Sequence, residues 1–314
     1  MPILLMAITL VSGFCCLAHA EENPGTELVL DPSFRRGFHV LDPAPGKKVR
    51  TGVLQPPRAG AEPSWELAQW HSRFTILGAE PVAGPEGSVL FRNRGKSIIF
   101  GEPETSLADL SLGVNAVAEY GDHLRVPPEP WPHLLVSQEL DGMPRLVDCS
   151  RLLFRLEVKL LKCEPGPHEG IVRNRHAAQF VGFITVQNRN RAAQGYGDFL
   201  WFGIPVYDNR MEFAKPFMAP DQAHRKFIYT PGGEAYMDRS VHTGEWTTLA
   251  ADLVPLIRRG LEEAWSRGHL PTSRNIEDFR LTGFSLGWEA PGPYEAAIQI
   301  RNLSIKAYAV APEL

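Results

Sequence analysis

The chain reads as an all-β protein, an antiparallel β-sandwich, on three observations. Short apolar segments alternate with polar Gly/Pro turns along most of its length. Several of them alternate strictly apolar and polar, as a strand with one covered face does. The helices that a parallel α/β sheet requires between successive strands are missing. With 28 glycines and 27 prolines in 314 residues, turns are favoured over long helices.

The elements follow in order. Residues 1–20, MPILLMAITLVSGFCCLAHA, carry no Asp, Glu, Lys or Arg and close on Ala18-His19-Ala20, the pattern of a secretory signal peptide. The apolar stretch is short for a membrane span. We therefore expect a secreted or periplasmic protein with no membrane contact once the signal is removed. Residues 21–64 are rich in Pro and Gly and read as an extended leader packed on a single β-sandwich domain over 65–314. Within that domain, residues 97–100 (SIIF), 111–120 (SLGVNAVAEY) and 133–140 (HLLVSQEL) are strand candidates. Residues 152–163 (LLFRLEVKLLKC) set Phe154, Leu156, Val158 and Leu160 on one face against Arg155, Glu157 and Lys159 on the other. Residues 179–188 (QFVGFITVQN) and 198–207 (DFLWFGIPVY) are apolar almost throughout, as central strands are. A short strand over 226–230 and two long ones over 279–289 and 296–308 complete the set.

One amphipathic helix is expected near 252–267. Asp252 caps it, Pro255 falls in its first turn, and Val254, Ile257, Leu261 and Ala264 form its apolar stripe. Gly268 ends it.

Composition excludes several functions. A net charge of −4 without a basic stripe excludes a nucleic-acid partner. No Gly-x-Ser-x-Gly, His-Glu-x-x-His, P-loop or Gly-x-Gly-x-x-Gly is present. No cofactor or metal site is predicted, apart from a structural calcium at the acidic turns. With the signal removed the chain keeps Cys149 and Cys163, an even pair that in an oxidising compartment suggests one disulfide worth about 3 kcal/mol. Two buried free thiols are the alternative.

The remaining signals are aromatics and acids beside turns. Sugar rings present apolar faces ringed by hydroxyls, so flat aromatics flanked by amides and carboxyls suit them. By parity, Trp201 and Tyr207 share a face with Phe199, and Trp288 precedes Glu289. Core packing is the competing role for any one of these rings. Gln179 and Asp198 are candidate hydroxyl partners. Glycoside hydrolysis needs two carboxyls, one protonated. Glu139 and Glu289 are the candidates, with the indole of Trp288 expected to raise the pKa of Glu289. A lyase would instead use a His or Tyr base with an Arg, Gln or Asn to neutralise a uronate.

The central and late strands, LLFRLEVKLL, QFVGFITVQN, DFLWFGIPVYD, FRLTGFSLGWEA and AIQIRNLSI, give residues 110–310 the look of secreted jelly-roll proteins of the concanavalin-like type. The resemblance is architectural; no family motif is matched. It implies two curved sheets and a ligand groove on the concave side, in a group that includes lectins, glycoside hydrolases and polysaccharide lyases. The expectation is a polysaccharide- or oligosaccharide-engaging protein. A hydrolase or lyase acting in the same groove is the alternative, and a non-catalytic structural or interaction protein is a further one.

Overall fold

A computed structural model describes residues 24–45, 48–221 and 225–310; the expected signal peptide lies outside them. Its strands are β1 (Thr26–Glu27), β2 (Phe38–Leu41), β3 (Arg50–Leu54), β4 (Trp65–Ala68), β5 (Val82–Ala83), β6 (Val89–Arg92), β7 (Lys96–Phe100), β8 (Leu110–Asn115), β9 (His133–Glu139), β10 (Cys149–Pro165), β11 (Gln179–Asn188), β12 (Phe199–Asp208), β13 (Phe217–Pro220), β14 (Phe227–Thr230), β15 (Thr247–Asp252), β16 (Phe279–Glu289) and β17 (Tyr294–Ala309). The helices longer than one 3₁₀ turn are α1 (Ala116–Tyr120) and α2 (Leu253–Ser266).

The strands form two sheets, as the apolar patterning predicts. The smaller runs β15-β10-β17-β8-β7-β6-β5, with β1 added beside β17. The larger runs β13-β14-β12-β11-β16-β9-β4-β2-β3. Pairing is antiparallel except for β2–β4 and β12–β14, which are parallel. The sheets enclose one core in which Trp65, Trp288, Phe154, Phe180, Phe202 and Phe284 are buried. Trp288 crosses the sandwich, its indole N–H donating to the Leu112 carbonyl of the opposite sheet at 2.9 Å. An indole buried with its one donor satisfied keeps its packing gain without a desolvation loss.

The helix α2 forms where its stripe predicts. The Asp252 carboxylate accepts from Val254 N at 3.1 Å, and Leu253, Val254, Ile257, Leu261 and Ala264 are buried. It lies against β10, β12 and β14 and so closes one open side of the sandwich. Gly260 allows this approach, since a Cβ there would stand 2.7 Å from the Tyr229 ring.

Four expectations are corrected. Residues 21–64 are more than a leader, because β1, β2 and β3 join the sheets; strands of two to five residues carry too little alternation to be read. The strand expected over 111–120 stops at Asn115, whose side chain accepts from Ala118 N at 3.0 Å and starts α1. Cys149 and Cys163 are free. They stand at the two ends of β10, fourteen residues apart on one extended strand, about 45 Å by strand rise, so they cannot bond. Burial pushes both thiols above their ordinary pKa. Tyr207 and Trp288 both belong to the core, at 5% and 0% exposure. For Tyr207 the cause is a bulge. Phe180 opposes Tyr207 but Val181 opposes Pro205, so Val206 is an extra residue and parity inverts between Trp201 and Tyr207.

Candidate functional site

The core row Tyr207, Phe180, Trp288, Leu134 runs across four neighbouring strands. Side chains alternate between faces, so the next row, Asp208, Gln179, Glu289 and His133, points away from the core. Strands far apart in sequence thus bring four polar residues into one line on the outer face of the larger sheet. Directly opposed neighbours there have Cβ atoms about 4.5–5.5 Å apart.

Glu289 and His133 are surrounded by protein yet keep a partly accessible surface. Burial raises the Glu289 pKa to about 7. The Trp131 N–H holds the rise in check, although it meets no acceptor in full hydrogen-bond geometry, and the charge of Asp221 adds to the rise. At neutral pH a large share of Glu289 therefore keeps its proton. The indole beside it is Trp131, since Trp288 faces the other way. Burial pushes His133 down to about 4, with the backbone at Trp131 and Trp70 opposing the fall, so its imidazole is neutral, and its Nδ1 meets no partner in full hydrogen-bond geometry.

Rings pack against the His133 end of the row. Trp131 stacks on His133 at 5.7 Å with 23° between planes, and Trp70 meets His133 edge-on at 5.8 Å. The Arg125 guanidinium stands 4.8 Å from the Trp131 ring centre. Trp70 also covers an outer-face apolar patch of Leu41, Ala68 and Leu135. A buried polar network ties down the loop that follows Trp70. Lys96 Nζ donates to Ser72 Oγ at 2.5 Å and to the Phe74 carbonyl, and stands 3.5 Å from Glu119. Glu119 accepts from Ser72 Oγ at 2.5 Å and from Arg73 N at 2.6 Å. Burial lowers the Lys96 pKa, and Glu119 opposes that fall.

The floor is bare. Along β16 the outer-face residues leading to Glu289 are Gly283, Ser285 and Gly287. A Cβ on Gly287 would stand 2.1 Å from the Leu134 carbonyl oxygen, so the backbone geometry itself requires glycine. Beyond the floor lies a second aromatic group. Trp201 sits 5.3 Å from Phe183 and 5.9 Å from Phe199, all three partly accessible.

The far end of the row is fixed by Arg210. Its Nε donates to Asp208 Oδ1 at 2.8 Å and its Nη2 to Oδ2 at 2.6 Å. The Arg210 backbone N–H adds a bond to Oδ1 at 2.9 Å, and Gln179 Nε2 donates to Oδ2 at 2.9 Å. The Gln179 amide is thereby held toward Asp208, while its backbone position is opposed in register to Glu289.

Of the residues singled out in the sequence, Gln179, Glu289, Trp201 and Glu139 share this face. Tyr207 and Trp288 do not. Asp198 is engaged elsewhere, with Lys226 at 3.1 Å and the hydroxyls of Thr272 and Ser273 at 3.2 Å each. Glu139 opposes Gly283 whereas Glu289 opposes His133. Six residues of β9 separate those positions, about 20 Å by strand rise, far beyond the 5–9.5 Å of a catalytic carboxyl pair. Trp70, Trp131 and His133, which the sequence marks as aromatics beside turns in WELAQWH and EPWPH, also join the face, and Phe183 and Arg210 join it unannounced. The register that assembles them is non-local. Among the described residues no group of three or more His, Cys, Asp or Glu could hold a metal ion, and no helix is long and apolar enough to cross a membrane.

No protein-family model matches the chain, and no curated protein matches it. Among solved structures it is similar to endoglucanase cel12A from Rhodothermus marinus, at 14% identity and a TM-score of 0.41 over 78% of this chain and 99% of that one. It is similar to a native family 12 xyloglucanase from Bacillus licheniformis, at 12% identity and a TM-score of 0.40 over 73% and 97%. It is also similar to the family 11 xylanase from Neocallimastix patriciarum, at 8% identity and a TM-score of 0.34 over 73% and 94%.

Proposed function

We propose that this protein is secreted and engages an extended polysaccharide on the outer face of its larger sheet. The observation that carries this reading is the partly accessible row Gln179–Glu289–His133 with Trp70 and Trp131 against His133, and a second aromatic group of Phe183, Trp201 and Phe199 about 13–26 Å further along the same face, across the Gly283–Gly287 floor. A sugar ring lying on the Gly283–Gly287 floor stacks on the rings, while the carboxyl, amide and imidazole exchange hydrogen bonds with its hydroxyls. A protonated Glu289 donates one hydrogen bond and accepts another, which a hydroxyl can answer in both directions.

A glycosidase is the second reading, and one observation favours it. A carboxyl whose pKa stands at about 7 is poised as a general acid at neutral pH.

Affinity electrophoresis through β-1,4-glucan, xylan and polyuronate gels tests binding, with reducing-sugar release measured in parallel. One indole face removes about 70 Å² of apolar area from water, about 1.8 kcal/mol, so Trp201→Ala should weaken retention roughly 20-fold while the melting transition persists. Retention of no polysaccharide by the wild-type protein would refute the proposal.

A further inference from the structure

Cleaving a glycosidic bond with retention needs a second carboxyl about 5–5.5 Å from the acid. On one face of a sheet, residues opposed in register are those whose Cβ atoms already stand about that far apart. Glu289 has two such neighbours, Gln179 and His133. One is an amide and the other a neutral imidazole.

The next carboxyl along the row is Asp208, two strand spacings or about 9.6 Å away. It is 3% exposed, and its two oxygens already accept four hydrogen bonds from Arg210 and Gln179. No lone pair is left to take a proton from an attacking water. Asp221, whose charge also reaches Glu289, is the rival partner.

We infer that Gln179 occupies the place of a glycosidase nucleophile, so that the wild-type row holds a glycan without cleaving it, and that one amide-to-carboxylate change supplies the missing half of a retaining glycosidase. This rests on the polysaccharide reading above. In Gln179→Glu the new carboxylate attacks the anomeric carbon and forms an ester bond. The bond to the leaving oxygen breaks, and Glu289 gives that oxygen its proton. Water then attacks the same carbon, its proton passes to Glu289, and the ester carboxylate leaves. Repulsion from Asp208, which loses the amide donor to its Oδ2, turns the new carboxylate toward Glu289, and the Arg210 guanidinium on Asp208 offsets part of the added negative charge.

The experiment compares wild type, Gln179→Glu and Gln179→Gly on the polysaccharide that the wild type retains best, on its soluble oligosaccharides and on their 4-nitrophenyl glycosides. The wild type should retain the polysaccharide and release no sugar. Gln179→Glu should raise oligosaccharide cleavage at least about 100-fold, with retained anomeric configuration by NMR, and adding Glu289→Gln should reverse the gain. In Gln179→Gly, sodium azide should enter the vacated space and yield a glycosyl azide of inverted configuration from the nitrophenyl glycoside. Polysaccharide retention with no turnover in either variant would overturn the inference. So would sugar release by the wild type, including inverting release that is lost in Asp221→Asn. Absence of retention by the wild type would overturn the polysaccharide reading instead, so the two failures are distinguishable.

Discussion

Glu289→Gln should make the protein more stable, and only at the higher end of the pH range. Burial lifts the Glu289 pKa from 4.5 to about 7. Each unit is worth about 1.36 kcal/mol, so ionising this carboxyl in the folded state costs about 3 kcal/mol more than ionising it in the unfolded chain. Below pH 4.5 the group is protonated in both states and contributes no difference. Between pH 4.5 and 7 the folded protein binds more protons than the unfolded one, so stability falls as pH rises. Above pH 7 the full penalty is present. Glutamine has the same shape and no charge to desolvate. The variant should match wild type near pH 4 and gain about 3 kcal/mol at pH 8, or roughly 5 °C in melting temperature for a domain of this size. Urea titrations at pH 4.5, 6 and 8 with identical buffer ionic strength read this directly. A difference between the two proteins that is the same at all three values would refute the assignment of the penalty to Glu289.

Two further outcomes follow from the geometry. Glu119→Gln leaves Lys96 buried without its carboxylate and should lower the unfolding free energy by about 3–5 kcal/mol, whereas Lys96→Met/Glu119→Leu should recover most of that loss, as read from denaturant midpoints. The chain without residues 1–20 should titrate two thiols when denatured, for Cys149 and Cys163, and should melt at the same temperature with and without reductant.

The fold was legible where periodicity is local. Phe154, Leu156 and Val158 are buried in the smaller sheet as their alternation predicts, Leu160 is half-buried where the register shifts, and α2 begins at its Asp252 cap. Two kinds of information are absent from such patterns. The first is the bulge: one extra residue, Val206, turns Tyr207 into the core while Trp201 stays outside, and no local signal marks that position. The second is strand order. Asp208, Gln179, Glu289 and His133 become neighbours because β12, β11, β16 and β9 lie side by side in that order, which follows from long-range pairing. The disulfide expectation failed for a related reason. The strand read over residues 152–163 already kept Cys163 from folding back towards Cys149, and a continuous strand cannot close a loop on itself.

The positions of β16 and β17 bear on how the chain is made. β17 lies between β10 and β8 at the heart of the smaller sheet, and β16 lies between β11 and β9 at the heart of the larger. Both belong to residues 279–309 and leave the ribosome after every other strand described above. Until they emerge, each nascent sheet is two halves with unpaired inner edges, β10 and β8 in one and β11 and β9 in the other. Exposed edges of that kind pair with other chains, so the growing protein depends on being shielded until residues 279–309 have emerged.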